Sequence, residues 1–112
     1  MTLQQLAEFE RNIAATPAFF WLVSDGNDRL TQLRAGRAYV RAQLAATALG
    51  LAMQPLSQAL QEYPEQAKPY AAIHALVAAR SGQTVQMWTR LGEGPVIAPA
   101  PRRGLQAQIV SA

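Results

Sequence analysis

Apolar residues near the start of the chain recur every three or four places: Leu3, Leu6, Phe9 and Ile13, with Glu8, Arg11 and Asn12 between them. That spacing gathers them on one face of a helix. Thr2 and Gln5 have capping-box spacing, so each side chain can satisfy an orphan amide of the first turn. Pro17 closes the segment, because proline disfavours helical geometry in the residue before it. The pattern then changes. Phe19 to Val23 is bulky and unbroken, which fits a strand covered on both faces and equally a turn of buried helix. The phrase DGND supplies a turn at Gly26 and an N-cap for the next helix, from Asn27 or Asp28.

That next helix is predicted over Arg29 to Ala52. Leu30, Leu33, Arg37, Val40, Leu44, Thr47 and Leu51 form one stripe with alternating steps of three and four. Ala35, Tyr39, Ala42, Ala46, Leu49 and Met53 form a second. From Ala42 onward the polar positions are limited to Gln43 and Thr47, and a helix apolar all round is central to its domain or covered by a partner. QPLSQALQEYPEQAKP then reads as a short amphipathic helix between two breaks, with Pro55 in its first turn. YAAIHALVAARSG is a further helix with Ile73, Leu76 and Val77 on its apolar face and Gly82 as terminator. His74 borders that face as a surface or edge residue without a chemical role. QTVQMWTRLG alternates, with Val85, Met87, Thr89 and Leu91 on a drier strand face and Gln86, Trp88 and Arg90 opposite. EGPVIAPAPRRG is extended and punctuated by proline, and LQAQIV reads as a last strand or an arm.

Composition narrows the function classes. Half of the residues are hydrophobic, which supports one globular domain over residues 1–112 and excludes wholesale disorder. The formal charge is +3, but only 15% of residues are charged and Lys68 is the single lysine. A nucleic-acid partner is therefore not expected, since such binders concentrate Lys and Arg on one surface. Arg34, Arg37 and Arg41 recur at helical spacing, as a narrow basic stripe or an ordinary solvated face. With no cysteine and one histidine, thiol catalysis, zinc clusters and a Ser-His-Asp constellation are excluded within one chain. Asp25 and Asn27 begin like a calcium loop, but its twelfth position is Gly36 and not a glutamate, so no metal site is expected. Gly92 and Gly94 open a glycine pattern that Ile97 breaks, so the dinucleotide fingerprint is absent. No signal-peptide layout and no apolar run near the ~20 residues of a membrane span are present. A cytoplasmic protein without membrane contact is the expectation.

Taken in order, FFWLVSDGNDR, AGRAYVRAQLAATALGL, MQPLSQ, QMWTRLGEGP and PRRGL resemble the C-terminal half of the nitroreductase superfamily, in its Acg-like branch. LAATALGLAMQPL is the most specific stretch. The resemblance implies an α+β (α/β) fold, a nitroreductase-like partial domain with a small sheet around a long central helix. It implies an FMN-dependent NAD(P)H oxidoreductase that passes hydride through flavin N5 to a small electron acceptor, with no catalytic acid or base from this half. Family members are homodimers whose long helix packs on its mate across the axis, with FMN at the interface. Pro55, Leu56, Ser57 and Gln58 would then pass the isoalloxazine edge, with the Gln58 amide as a donor. Arg102 and Arg103 would hold the FMN phosphate, for which a guanidinium fork is well matched. The family also carries an Arg-Ser-x-Arg type motif in a preceding N-terminal segment, and nothing in MTLQQLAEFERNIAATP matches it. The expectation is thus a truncated or half-subunit form, working as a homodimer or with a separate N-terminal half and binding FMN weakly alone. The alternative is a non-catalytic dimerisation or interaction module derived from the same fold.

Overall fold

Gly50 ends the long helix sooner than its apolar pattern does. In the computed structural model, which describes residues 1–77 and 80–109, this helix (α2) spans Arg29–Ala48. Gly50 adopts φ 73°, left-handed geometry that carries no Cβ penalty in glycine. The Leu51 amide then donates to Ala46 O at 2.8 Å and the Gly50 amide to Thr47 O at 3.0 Å. This is the double closure of a Schellman motif. The expected extension to Ala52 is therefore corrected: Ala52–Pro55 leaves the helix and forms strand β2. Pro55 ends that strand and does not start a helix, a place open to proline because β2 is an edge strand. At the other end of α2, Asp28 is the cap and accepts from the Thr31 amide at 2.7 Å. Hydrogen bonding from Thr31, with Arg34 adding its charge, holds the Asp28 carboxyl below its ordinary value.

The first helix (α1) spans Leu3–Ala14 and carries the expected capping box. Thr2 N donates to Gln5 Oε1 at 2.8 Å and Gln5 N to Thr2 Oγ1 at 3.2 Å. Strand β1 (Ala18–Asp25) follows Pro17 directly. A third helix (α3) covers Ala67–Leu76, starting three residues before the expected Tyr70; Ala78 and Ala79, at the expected end, lie outside the described residues. The segment between β2 and α3 holds two 3-10 turns, Gln58–Leu60 and Pro64–Gln66, where a short helix was expected. Within LQAQIV the strand alternative is corrected: Leu105–Gln108 is an exposed 3-10 turn, with Val110 outside the described residues.

Strand β3 (Gln83–Gly92) is the middle of a three-stranded sheet ordered β1-β3-β2, antiparallel throughout. Phe20 pairs with Thr89, Trp21 with Trp88 and Leu22 with Met87. The predicted alternation is correct, since Val85 and Thr89 of the drier face are 2% and 0% exposed. On the opposite face Trp88 stacks between Phe19 and Trp21, with ring centroids 5.1 and 5.4 Å away. The register slips between Leu22 and Val23, so Gln86 has no residue opposite it. Its amide instead donates to Ser24 Oγ at 2.9 Å and Asn27 Oδ1 at 3.0 Å, tying the bulge to the following turn.

Strand β2 reaches only Thr89–Gly92 of β3 and leaves the other half of that edge open. His74 fills part of the gap. Its Nε2 lies 3.0 Å from the Val85 amide and its Nδ1 lies 2.9 Å from Tyr70 O. A backbone N–H can only donate, so Nε2 is the bare nitrogen and Nδ1 carries the proton. The expected edge histidine is thus half-buried and joins α3 to the sheet.

The two stripes of α2 have opposite fates. Ala46 of the small stripe is buried, and Ala35, Tyr39 and Ala42 are half-covered. Small side chains let the helix approach the sheet. The larger stripe stays bare, with Leu33 69% and Leu44 64% exposed. Leu3, Leu6 and Phe9 of α1 are exposed as well. The chain presents 9124 Å² of surface, against roughly 6,000 Å² for a folded chain of its mass.

Gly50→Ala will force a side chain into left-handed geometry and should cost about 1–2 kcal/mol, read from urea denaturation, with Gly50→Asn losing less. His74→Leu strands the Val85 amide and should cost about 1–3 kcal/mol; an unchanged denaturation midpoint would remove this bond from the account of α3 docking.

Candidate functional site

Pro55–Gln58 leaves β2 beside the open half of the β3 edge. The Leu56 amide donates to Trp88 O at 2.8 Å and so carries the pairing one residue past Pro55. Leu56 is half-buried as a result, while Pro55, Ser57 and Gln58 are exposed. Ser57 then opens the 3-10 turn, its carbonyl accepting from the Leu60 amide at 3.0 Å. Its hydroxyl makes no capping bond. The Gln58 carboxamide donates to the Tyr63 hydroxyl at 3.1 Å. The Gln58 side chain is thus held by the next turn of chain.

Arg102 and Arg103 lie on exposed backbone that Pro95, Pro99 and Pro101 keep out of helices and strands. Gln108 Nε2 donates to Arg103 O at 3.2 Å, which braces the main chain there. Among the described residues neither guanidinium donates a hydrogen bond or forms an ion pair. The structure therefore keeps Pro55, Leu56, Ser57 and Gln58 together as one turn and places the two arginines on a separate exposed segment.

A cavity of about 530 Å³ opens between the end of α1 and the β2–β3 pair. Thr16, Pro17, Met53, Gln54, Arg90 and Gly94 are among its walls, and none of the six residues expected at the flavin lines it. Arg90, which the alternation places on the wetter strand face, spans this end of the molecule. Its Nε donates to Gln54 Oε1, and its Nη1 to Asn12 O at 2.9 Å. Two of its five N–H donors thus brace α1 and β2. Packing also accounts for the glycines of RLGEGP: a Cβ on Gly92 would sit 2.8 Å from Pro17 Cγ, and one on Gly94 3.0 Å from Ala52 Cβ. The signal for both residues was present in that phrase, but their partners are remote in sequence.

The turn at Asp25–Asn27 is occupied by protein groups. Gln83 Nε2 donates to Asp25 Oδ1 at 3.1 Å, and Asn27 Nδ2 donates to Glu62 Oε1 at 3.0 Å. Burial, and secondarily the Glu62 carboxylate, push the nearby Tyr70 phenol up from its ordinary value. Tyr70 lies against His74 with ring centroids 4.1 Å apart.

Tested as a flavin cradle, the described residues do not suffice. Thr89 Oγ1 is the buried side-chain atom without a hydrogen-bond partner, and it faces Pro55 across the β3–β2 register. It is fully shielded, so it cannot address a ring lying outside the turn. The turn has no facing wall, and the phosphate-binding candidates lie on another segment. No reaction step is assigned to a group on this chain.

No family model matches the chain. Two curated proteins of Mycobacterium tuberculosis are similar to it: "Putative NAD(P)H nitroreductase MT3217" of strain CDC 1551 / Oshkosh and "Putative NAD(P)H nitroreductase Rv3131" of strain ATCC 25618 / H37Rv. Each is 40% identical over 97 residues, which is 83% of this chain and 26% of the relative. The chain thus spans about a quarter of the length of the curated relatives it matches. The match supports a nitroreductase-superfamily relationship, and the three helices and antiparallel sheet are consistent with it. Among the described residues no helix is long and apolar enough to cross a membrane.

Gly92→Ala should destabilise the protein by about 1–3 kcal/mol, the usual cost of forcing atoms into a filled contact. Adding Pro17→Ala should restore much of the loss, as measured by thermal denaturation of the single and double variants.

Proposed function

We propose that this chain is a component of an FMN-dependent NAD(P)H oxidoreductase of the nitroreductase type. The observation that carries this reading is the 40% identity over 97 residues to proteins named as NAD(P)H nitroreductases. In this reading Pro55–Gln58 borders the flavin ring and Arg102 and Arg103 bind its phosphate. A separate polypeptide segment supplies the facing wall. The flavin itself provides the redox chemistry, and the protein binds and orients it. Among the described residues neither guanidinium has an internal partner to leave on reaching a phosphate, which supports the assignment.

The expected affinity follows from what is missing. Charge-assisted bonds to phosphate contribute roughly 1.5–3 kcal/mol each, whereas nanomolar binding needs about 12 kcal/mol. FMN should bind this chain alone with a dissociation constant on the order of tens of micromolar or weaker. Flavin fluorescence titration will measure it. Added salt should weaken binding, and Arg102→Ala with Arg103→Ala should abolish it. Stoichiometric FMN that survives dialysis would overturn the incomplete-cradle reading, and unchanged affinity in the double variant would remove the arginines from the site. A protein that binds no FMN at millimolar concentration would favour the interaction-module reading.

A further inference from the structure

His74 is the only histidine of the chain, and both nitrogens of its ring are committed to backbone. Val85 pairs with Val23 of β1 on one side. On its other side β2 does not reach it, and its amide donates to His74 Nε2 at 3.0 Å. Nδ1 donates to Tyr70 O, 2.9 Å away and one turn back along α3. The ring in this arrangement is neutral, with its single proton on Nδ1. A second proton would have to sit on Nε2, pointing at an N–H that has no lone pair to offer. Turning the ring over brings a C–H edge to the same place. The imidazolium therefore cannot make this bond in either orientation.

The surroundings offer the added charge no paired carboxylate. Helix α3 packs against β3 and the two 3-10 turns. Its own further ionisable groups are the exposed Lys68 and Tyr70, whose ring lies 4.1 Å from the imidazole between centroids. The turn Pro64–Gln66 brings the exposed Glu65, and the turn Gln58–Leu60 brings no ionisable group. Between them, Glu62 accepts from Asn27 Nδ2 and the Tyr63 hydroxyl from Gln58. Strand β3 contributes Arg90, tied to Gln54 and Asn12 at the far end, and Arg80 stands exposed before the strand. Among the described residues no carboxylate forms an ion pair with His74.

We propose that His74 is a latch released by acid: its neutral imidazole holds α3 on the open edge of β3, and uptake of one proton from solvent at Nε2 breaks the bond to Val85 and frees the helix. The turn Gln58–Leu60 packs on α3 and loosens with it. The backbone bonds of the three strands contain no titratable group and stay. The latch uses contacts inside the chain only and does not rest on the flavin reading. The released state binds one proton more than the docked state, so docking is fully favoured above the ordinary imidazole value of about 6.5 and weakens as pH falls through it. One unit below that value, release gains about tenfold over its extent at about pH 7.5. His74 is the one side chain of the sequence whose ordinary value lies in that window.

Hydrogen exchange followed by NMR on the full chain tests this, with intrinsic exchange rates divided out at each pH. The Val85 amide and the amides of α3 should share one protection factor, lower than that of the β1–β3 ladder. That factor should fall about tenfold between about pH 7.5 and about pH 5.5. Imidazole nitrogen shifts at the higher pH should show the bare nitrogen at Nε2. His74→Gln keeps a neutral acceptor that cannot titrate, so its Val85 protection should be the same at both pH values. A fall that persists in this variant gives the effect to other groups and overturns the latch. The wild-type series needs no variant: unchanged protection of Val85, or a charged His74 beside a Val85 amide that is still protected, would overturn it as well. Equal protection of α3 and the ladder would make the acid step a global unfolding and leave His74 no latch to release.

Discussion

Every packed element of this protein leans on β3. Its two edges take β1 and β2, its open edge takes the Leu56 amide and the His74 imidazole, and its drier face holds the buried Val85 and Thr89. Its far end, through Arg90, reaches back to α1 and across to Gln54. Antiparallel pairing makes this arrangement possible with few residues, because one ten-residue strand can supply backbone partners on both sides. A change in β3 therefore propagates to all of its neighbours, whereas a change in α1 or in the proline-rich segment does not.

A single small sheet also limits how much else can be covered. It has room for one side of α2, and the side that wins is the one with small residues, since Ala35, Ala42 and Ala46 allow close approach. The leucines are left outside. Exposed apolar residues lie on α1 and α2 and also along the proline-punctuated segment, where Val96 and Ile97 are bare.

The candidate flavin site shows the same division. The turn at Pro55–Gln58 is rigidly tied to β3 through Leu56, while Arg102 and Arg103 ride on a segment that the sheet does not grip. The curated relatives it matches are about four times as long as the stretch they share with it.

What could be read in the sequence was local. Thr2 and Gln5 announced the capping box, Asn27 or Asp28 the cap of α2, and the alternation from Val85 to Leu91 the buried face of β3. In each case the interacting groups lie within a few residues of one another, so spacing alone defines their geometry. The resemblance that points to nitroreductases was also legible, because it rests on ordered phrases. Other features needed the tertiary structure. The apolar pattern runs through Gly50 without interruption, and the backbone turn there carries the chain into a strand that only β3 can pair. Gly92 and Arg90 acquire their roles from Pro17 and Asn12, more than seventy residues away. His74 looked like an edge residue because its partner, the Val85 amide, is a backbone group that no side-chain pattern reveals. Which stripe of α2 is covered was likewise undecided by periodicity, which finds both stripes but cannot say which one the sheet has room for.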